Sequence, residues 1–156
     1  MDIYSQTILM QKTRELARDY LKSTGEVLPI STHLAKFDIM HLLNFKNPIT
    51  KEVGVDLIGV GSLLDQKIQI KSRLINETSK TRPMVGQINI NANWEHILLV
   101  IYNSEYAPQE IYILSKSALV QEQKSHPKSL ISVAKFKAIG IKCWPEAADV
   151  AKTLIP

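Results

Sequence analysis

Asp56, Gln69 and Lys71 are the residues of this chain whose types and spacing could do chemistry together. They lie in VDLIGVGSLLDQKIQIK, running from Val55 to Lys71, where an apolar stretch carrying one acid passes through a short turn into alternating polar and apolar residues. Successive side chains of a strand point to opposite faces, so Gln69, Lys71 and Arg73 project together while Ile68 and Ile70 point the other way. A carboxylate and an amide oxygen suit a hard cation such as Mg²⁺ or Mn²⁺, which lowers the pKa of bound water and draws in phosphate oxygens. A lysine beside them could orient that water or stabilise charge developing on a phosphodiester. Asp56 is the principal metal ligand in this reading, and Gln69 adds an oxygen. Periodicity alone fits a blander alternative equally well, an acid at a strand edge beside an ordinary half-solvated strand.

An acid on the preceding helix would complete such a site, and two are available. Glu15 has Gln11, Lys12, Arg18 and Asp19 at helical spacings of three and four, which puts it on a solvated face. Asp38 has Leu34, Ala35, His41 and Leu42 at those spacings, so its face turns toward the sheet. A carboxylate there is costly unless paired or bound to a cation, which favours Asp38 over Glu15 as a third ligand.

The elements that must position these groups are legible in outline. Residues 4–23 have helical spacing and stop at Gly25; Ser31 or Thr32 is placed to cap a second helix through about Phe45. Val53–Val60 reads as a buried strand, Gly61–Asp65 as a turn and Lys67–Arg73 as the next strand. Ile75–Pro83 reads as a mobile surface connection. His96–Tyr102 (HILLVIY) has the continuous apolar character of a central strand covered on both faces, and Glu110–Leu114 follows as its neighbour. Ser115–Gln123, with Ser115 as cap, and Ser132–Ile139, ending at Gly140, read as helices, and Pro145 starts a last one over 145–155. This order describes one α/β domain with a mixed four- to five-stranded sheet flanked by helices.

Composition agrees with that class. The 156 residues suffice for one core, and 45% hydrophobic with 22% charged residues is a globular balance. The net charge of +4 leans toward a polyanionic partner. Its distribution is more telling, since Lys71, Arg73, Lys80 and Arg82 face only Glu77 between Lys71 and Trp94, and Lys135, Lys137 and Lys142 cluster later. Arg73, Lys80 and Arg82 are therefore candidates for phosphate contacts. The single cysteine, Cys143 beside Trp144, reads as a packed thiol, and no Cys/His spacing suggests zinc. No stretch approaches the roughly 20 apolar residues of a membrane helix, and no signal peptide is expected, so an intracellular, cytoplasmic setting without membrane contact is expected. His33, His41, His96 and His126 lack ligand spacing, and Gly59–Gly61 lacks the following lysine and helix of a phosphate loop.

Taken together, VDLIG and IQIKSR resemble the motif strands of the PD-(D/E)XK nuclease superfamily, the restriction endonuclease-like enzymes and their relatives. The stretches LAKFDIMHLLNF, NWEHILLVIYNSEYAPQEIYIL and SLISVAKFKAIGIKCW extend the likeness over most of residues 28–144, to an uncharacterised bacterial and phage domain family within it. The resemblance implies an α-β-β-β-α-β core and a magnesium-dependent endonuclease. By position, Asp56 matches the PD acid, Gln69 the (D/E) position, Lys71 the lysine and Asp38 the helix acid. It further implies DNA as the partner and a homodimer by family habit. Val55 replaces the proline, and Gln69 replaces an acid, which lowers the charge available to a metal. A second hypothesis follows from Gln69: a nuclease-fold module without catalysis that binds nucleic acid or a protein partner.

Overall fold

Strand β4 (His96–Tyr102) runs through the middle of the sheet, and from Ile97 to Tyr102 every side chain is buried. The computed structural model describes residues 3–75, 81–126 and 130–146. Before β4 come helices α1 (Ile3–Thr24) and α2 (Ser31–Leu42), then strands β1 (Leu57–Ile58), β2 (Lys67–Leu74) and β3 (Met84–Gly86). After it come β5 (Pro108–Ser115), α3 (Lys116–Ser125), β6 (Ile131–Ser132), α4 (Val133–Ile139) and β7 (Ile141–Trp144). The main sheet has the order β1-β2-β4-β5-β7, and β3 pairs with β6 in a separate ribbon. It is a mixed sheet, because β2 lies parallel to β4 while the other pairs are antiparallel. A parallel pair needs a long crossover, and the chain between Leu74 and His96 supplies it.

Both faces of the sheet are covered, as the continuous apolar run of β4 predicts. On one face Ile68, Ile70, Leu98, Val100 and Tyr102 pack with Ala17 of α1 and Leu34, Ala35 and Ile39 of α2. On the other, Ile97, Leu99 and Ile101 pack with Leu119 of α3, Val133 and Phe136 of α4, and Trp94. The α/β class with a five-stranded mixed sheet and flanking helices is therefore the observed architecture. Among the described residues, no helix is long and apolar enough to cross a membrane.

Several local expectations change. Neither Ser31 nor Thr32 caps α2: the helix begins at Ser31, its cap position is Ile30, and Ser31 Oγ instead accepts a 3.0 Å hydrogen bond from Ser72 beneath it. That helix ends at Leu42, before Phe45, because Asn44 turns the chain with a φ of 59°. The strand expected over Val53–Val60 shrinks to two paired residues. Gly54, at φ 81°, bends the chain just before it, and an added Cβ there would lie 2.5 Å from that of Ala92. Three short strands, β3, β6 and β7, were not legible as strands. By contrast α1, α3 capped by Ser115, and α4 between Ser132 and Gly140 fall where the pattern places them. Most of the Ile75–Pro83 connection and of the helix expected over 145–155 lies outside the described residues.

Candidate functional site

Asp56 sits just before β1, where two hydrogen bonds fix it against β2. Its backbone N–H donates to the Ile68 carbonyl at 2.8 Å, and its Oδ2 accepts from the Ile70 N–H, also at 2.8 Å. The short β1 explains this, since it ends opposite Lys67 and Ile68 and leaves the Ile70 amide without a strand partner. The carboxylate takes that place, satisfying a donor that would otherwise be lost to the ladder. Asp56 is thereby fastened to the residue between Gln69 and Lys71.

Gln69 and Lys71 project to the face of α3 and α4, in register with Ile97 and Leu99. The Gln69 amide oxygen is buried and has no donor among the described residues. A buried acceptor left unpaired is uncommon, and the His96 Nδ1 and Tyr106 hydroxyl share that condition among the described residues. Lys71 makes no ion pair among the described residues, although it lies within electrostatic reach of Asp56. Burial lowers the pKa of its ammonium, Arg73 lowers it further, and Asp56 partly offsets both.

Arg73 spends donors on all three of its nitrogens inside the fold. Its Nε donates to the Met84 carbonyl at 2.7 Å, Nη1 to the Ser72 carbonyl and Nη2 to the Val85 carbonyl. The guanidinium is a clamp that holds β3 onto β2. Gly86 makes room for it, because a Cβ at that position would stand 2.8 Å from Arg73 Nη2. Arg82 keeps an exposed side chain, with one hydrogen bond of 3.0 Å from Nη2 to Ser132 Oγ. Lys80 lies outside the described residues.

Asp38 is the principal correction. Its helix does turn it toward the sheet, and it is 7% exposed, but on the face opposite Gln69 and Lys71. There Arg14 Nη2 donates to Oδ1 at 2.6 Å and Nη1 to Oδ2 at 3.1 Å, while the Tyr102 hydroxyl donates to Oδ2 at 2.5 Å. Tyr102 stands in register with Leu74, four residues beyond Ile70, which corresponds to about 13 Å along a strand. The cation that makes this buried carboxylate tolerable is thus a guanidinium. Burial acts to lower the pKa of Arg14, but the hydrogen bond and charge of Asp38 outweigh it and leave the value raised. Burial and Asp38 together keep the Tyr102 phenol protonated far above its ordinary range. The sequence held a signal for Arg14, which shares a helical face with Met10, Ala17 and Leu21. Glu15 is exposed and, among the described residues, accepts a hydrogen bond only from Gln11, as its neighbours predict.

Asp56 and Gln69 are left as the oxygen donors that could hold a cation. They are one carboxylate fixed by a backbone amide and one buried carbonyl without a donor among the described residues. Among the described residues, no three acidic, histidine or cysteine side chains converge on a common point. No protein-family model matches the sequence, and no curated protein matches it either.

Proposed function

We propose that the protein is a metal-dependent nuclease that hydrolyses phosphodiester bonds in DNA, with a D…QxK variant of the PD-(D/E)XK site on a restriction endonuclease-like core. The observation that carries this reading is the 2.8 Å hydrogen bond between Asp56 Oδ2 and the amide of Ile70, which ties the acid to the centre of the Gln69-x-Lys71 motif. Asp56 and Gln69 would hold Mg²⁺ or Mn²⁺. A cation bound there supplies an activated water and neutralises phosphate charge. Lys71, half-buried and without an ion-pair partner among the described residues, orients the nucleophile or stabilises charge on the phosphate. Arg82 contributes a phosphate contact, and cutting both strands would take a second copy of the chain.

The alternative, a module that binds nucleic acid or a protein without cleaving, is favoured by one feature: the motif position is a neutral Gln69, and no cluster of three acids surrounds it among the described residues. One experiment separates the two. Duplex, single-stranded and branched DNA and RNA are incubated with the protein and Mg²⁺ or Mn²⁺, alongside Asp56→Ala and Lys71→Ala. Cleavage that both variants abolish, with DNA affinity within about threefold of wild type, is the expected result. No cleavage of any substrate, with binding that persists in EDTA, would establish the binding module instead.

A further inference from the structure

A pocket of about 430 Å³ opens where α3, β3, β6 and α4 meet, on the same side of the sheet as Lys71. Its polar wall carries two cations from separate elements, Arg82 and Lys135. Arg82 spends Nη2 on Ser132, and its remaining guanidinium donors have no partner among the described residues. Ser132 is 3% exposed, and its Oγ accepts from both Arg82 Nη2 and the Lys135 amide at 3.0 Å, so its own proton remains free to donate. Glu122 Oε1 lies 3.5 Å from Lys135 Nζ and 3.1 Å from His126 Nδ1, which makes it the one acid that competes for these cations. Its apolar wall is formed by the half-buried Met84 and Ile131 over the fully buried Leu119, and Leu130 stands 53% exposed beside them.

An arginine fork, a lysine and a hydroxyl lining one pocket suit an anion with several oxygens in three dimensions better than a flat carboxylate. Inorganic phosphate would leave the apolar wall wet, whereas an attached base and sugar would cover it, and the volume lies within the range of small-ligand sites. We propose that this pocket binds a nucleoside monophosphate, with its phosphate on Arg82, Lys135 and Ser132 and its base against Met84, Ile131 and Leu130. The site shares Arg82 with the nuclease reading but needs neither Asp56, Gln69 and Lys71 nor a metal, although β3, clamped by Arg73, links the two.

The test is titration of the full-length protein in EDTA at low salt, by calorimetry and by amide shifts at Leu119 and Ser132. The probes are deoxynucleoside monophosphates, inorganic phosphate, and short oligonucleotides with and without a terminal phosphate. The nucleotide should bind at least about tenfold more tightly than inorganic phosphate, and Arg82→Ala and Lys135→Ala should each weaken it about tenfold. Glu122→Gln should tighten it severalfold by releasing Lys135, an effect that a misfolded variant cannot produce. Oligonucleotide binding that requires the terminal phosphate assigns the ligand to a strand end, and binding of the free nucleotide alone assigns it to a soluble metabolite; either supports the site. Equal affinity for nucleotide and inorganic phosphate, or indifference to Arg82→Ala, overturns it. Because no metal is present, that failure leaves cleavage untouched, and absence of cleavage leaves this result untouched.

Discussion

Removing the Asp38 carboxylate should cost fold stability rather than chemistry. In Asp38→Ala the Arg14 guanidinium loses both carboxylate contacts and the Tyr102 hydroxyl loses its acceptor, on side chains only 17% and 10% exposed for Arg14 and Asp38. Breaking a buried ion pair from one side costs about 3–5 kcal/mol. The lower end applies, because Arg14 Nη1 keeps the Tyr106 carbonyl as a partner. In a chain of this size about 3 kcal/mol corresponds to a fall in Tm of roughly 6–12 °C. Thermal and urea unfolding followed by circular dichroism measure it. Tyr102→Phe, which leaves the ion pair intact, should cost about 1.5–2 kcal/mol for one charge-assisted hydrogen bond. Replacing Arg14 and Asp38 together by leucine should cost less than the sum of the two single changes, since no charge is then left buried and unpaired. Asp56→Ala should instead abolish cleavage, with a stability loss of about 1–3 kcal/mol for the one amide, that of Ile70, left without its acceptor. An Asp38→Ala protein with an unchanged Tm but no cleavage would refute this reasoning and return Asp38 to the metal site.

Other expectations follow from the same geometry. Gln69→Glu adds the charge that the site lacks, so Mn²⁺ and Mg²⁺ should bind more tightly in calorimetry, and weaker binding would contradict the placement of Gln69 as a ligand. Cys143 is 6% exposed and burial pushes its thiol up to about 12, so it should resist thiol reagents at pH 8 until urea unfolds the chain; complete labelling of the native protein within minutes would be inconsistent with this packing. Burial and the hydrogen bond to Glu110 raise Tyr112 from 10.0 to about 12, so the fold favours the neutral phenol. Its contribution is complete below pH 10 and is lost as pH rises toward 12, which a decline in urea midpoint over that window, reduced in Tyr112→Phe, would register.

The sequence alone determined the parts that depend on local pattern. The apolar run from His96 to Tyr102 carried the mark of a strand covered on both faces, and the alternation from Lys67 to Arg73 put Gln69 and Lys71 on one side of the strand beside it, as found. Ser115 and Ser132 marked two helix starts because a side-chain oxygen placed before a helical stretch satisfies an amide that the helix cannot. Burial of Asp38 was legible from its neighbours, but its partner was not. Whether a guanidinium or a metal balances that carboxylate depends on how α1 crosses α2 and where β4 ends, and those are tertiary facts. The same holds for Arg73, whose position in an alternating strand says nothing about the three backbone carbonyls that its Nε, Nη1 and Nη2 each reach. The strands β3, β6 and β7 are too short to carry a periodicity, and they exist because the sheet and its clamp offer them partners. Tertiary structure also decided how the acid meets the motif: β1 pairs only from Leu57 onward, so Asp56 can bond the amide of Ile70, the residue between Gln69 and Lys71.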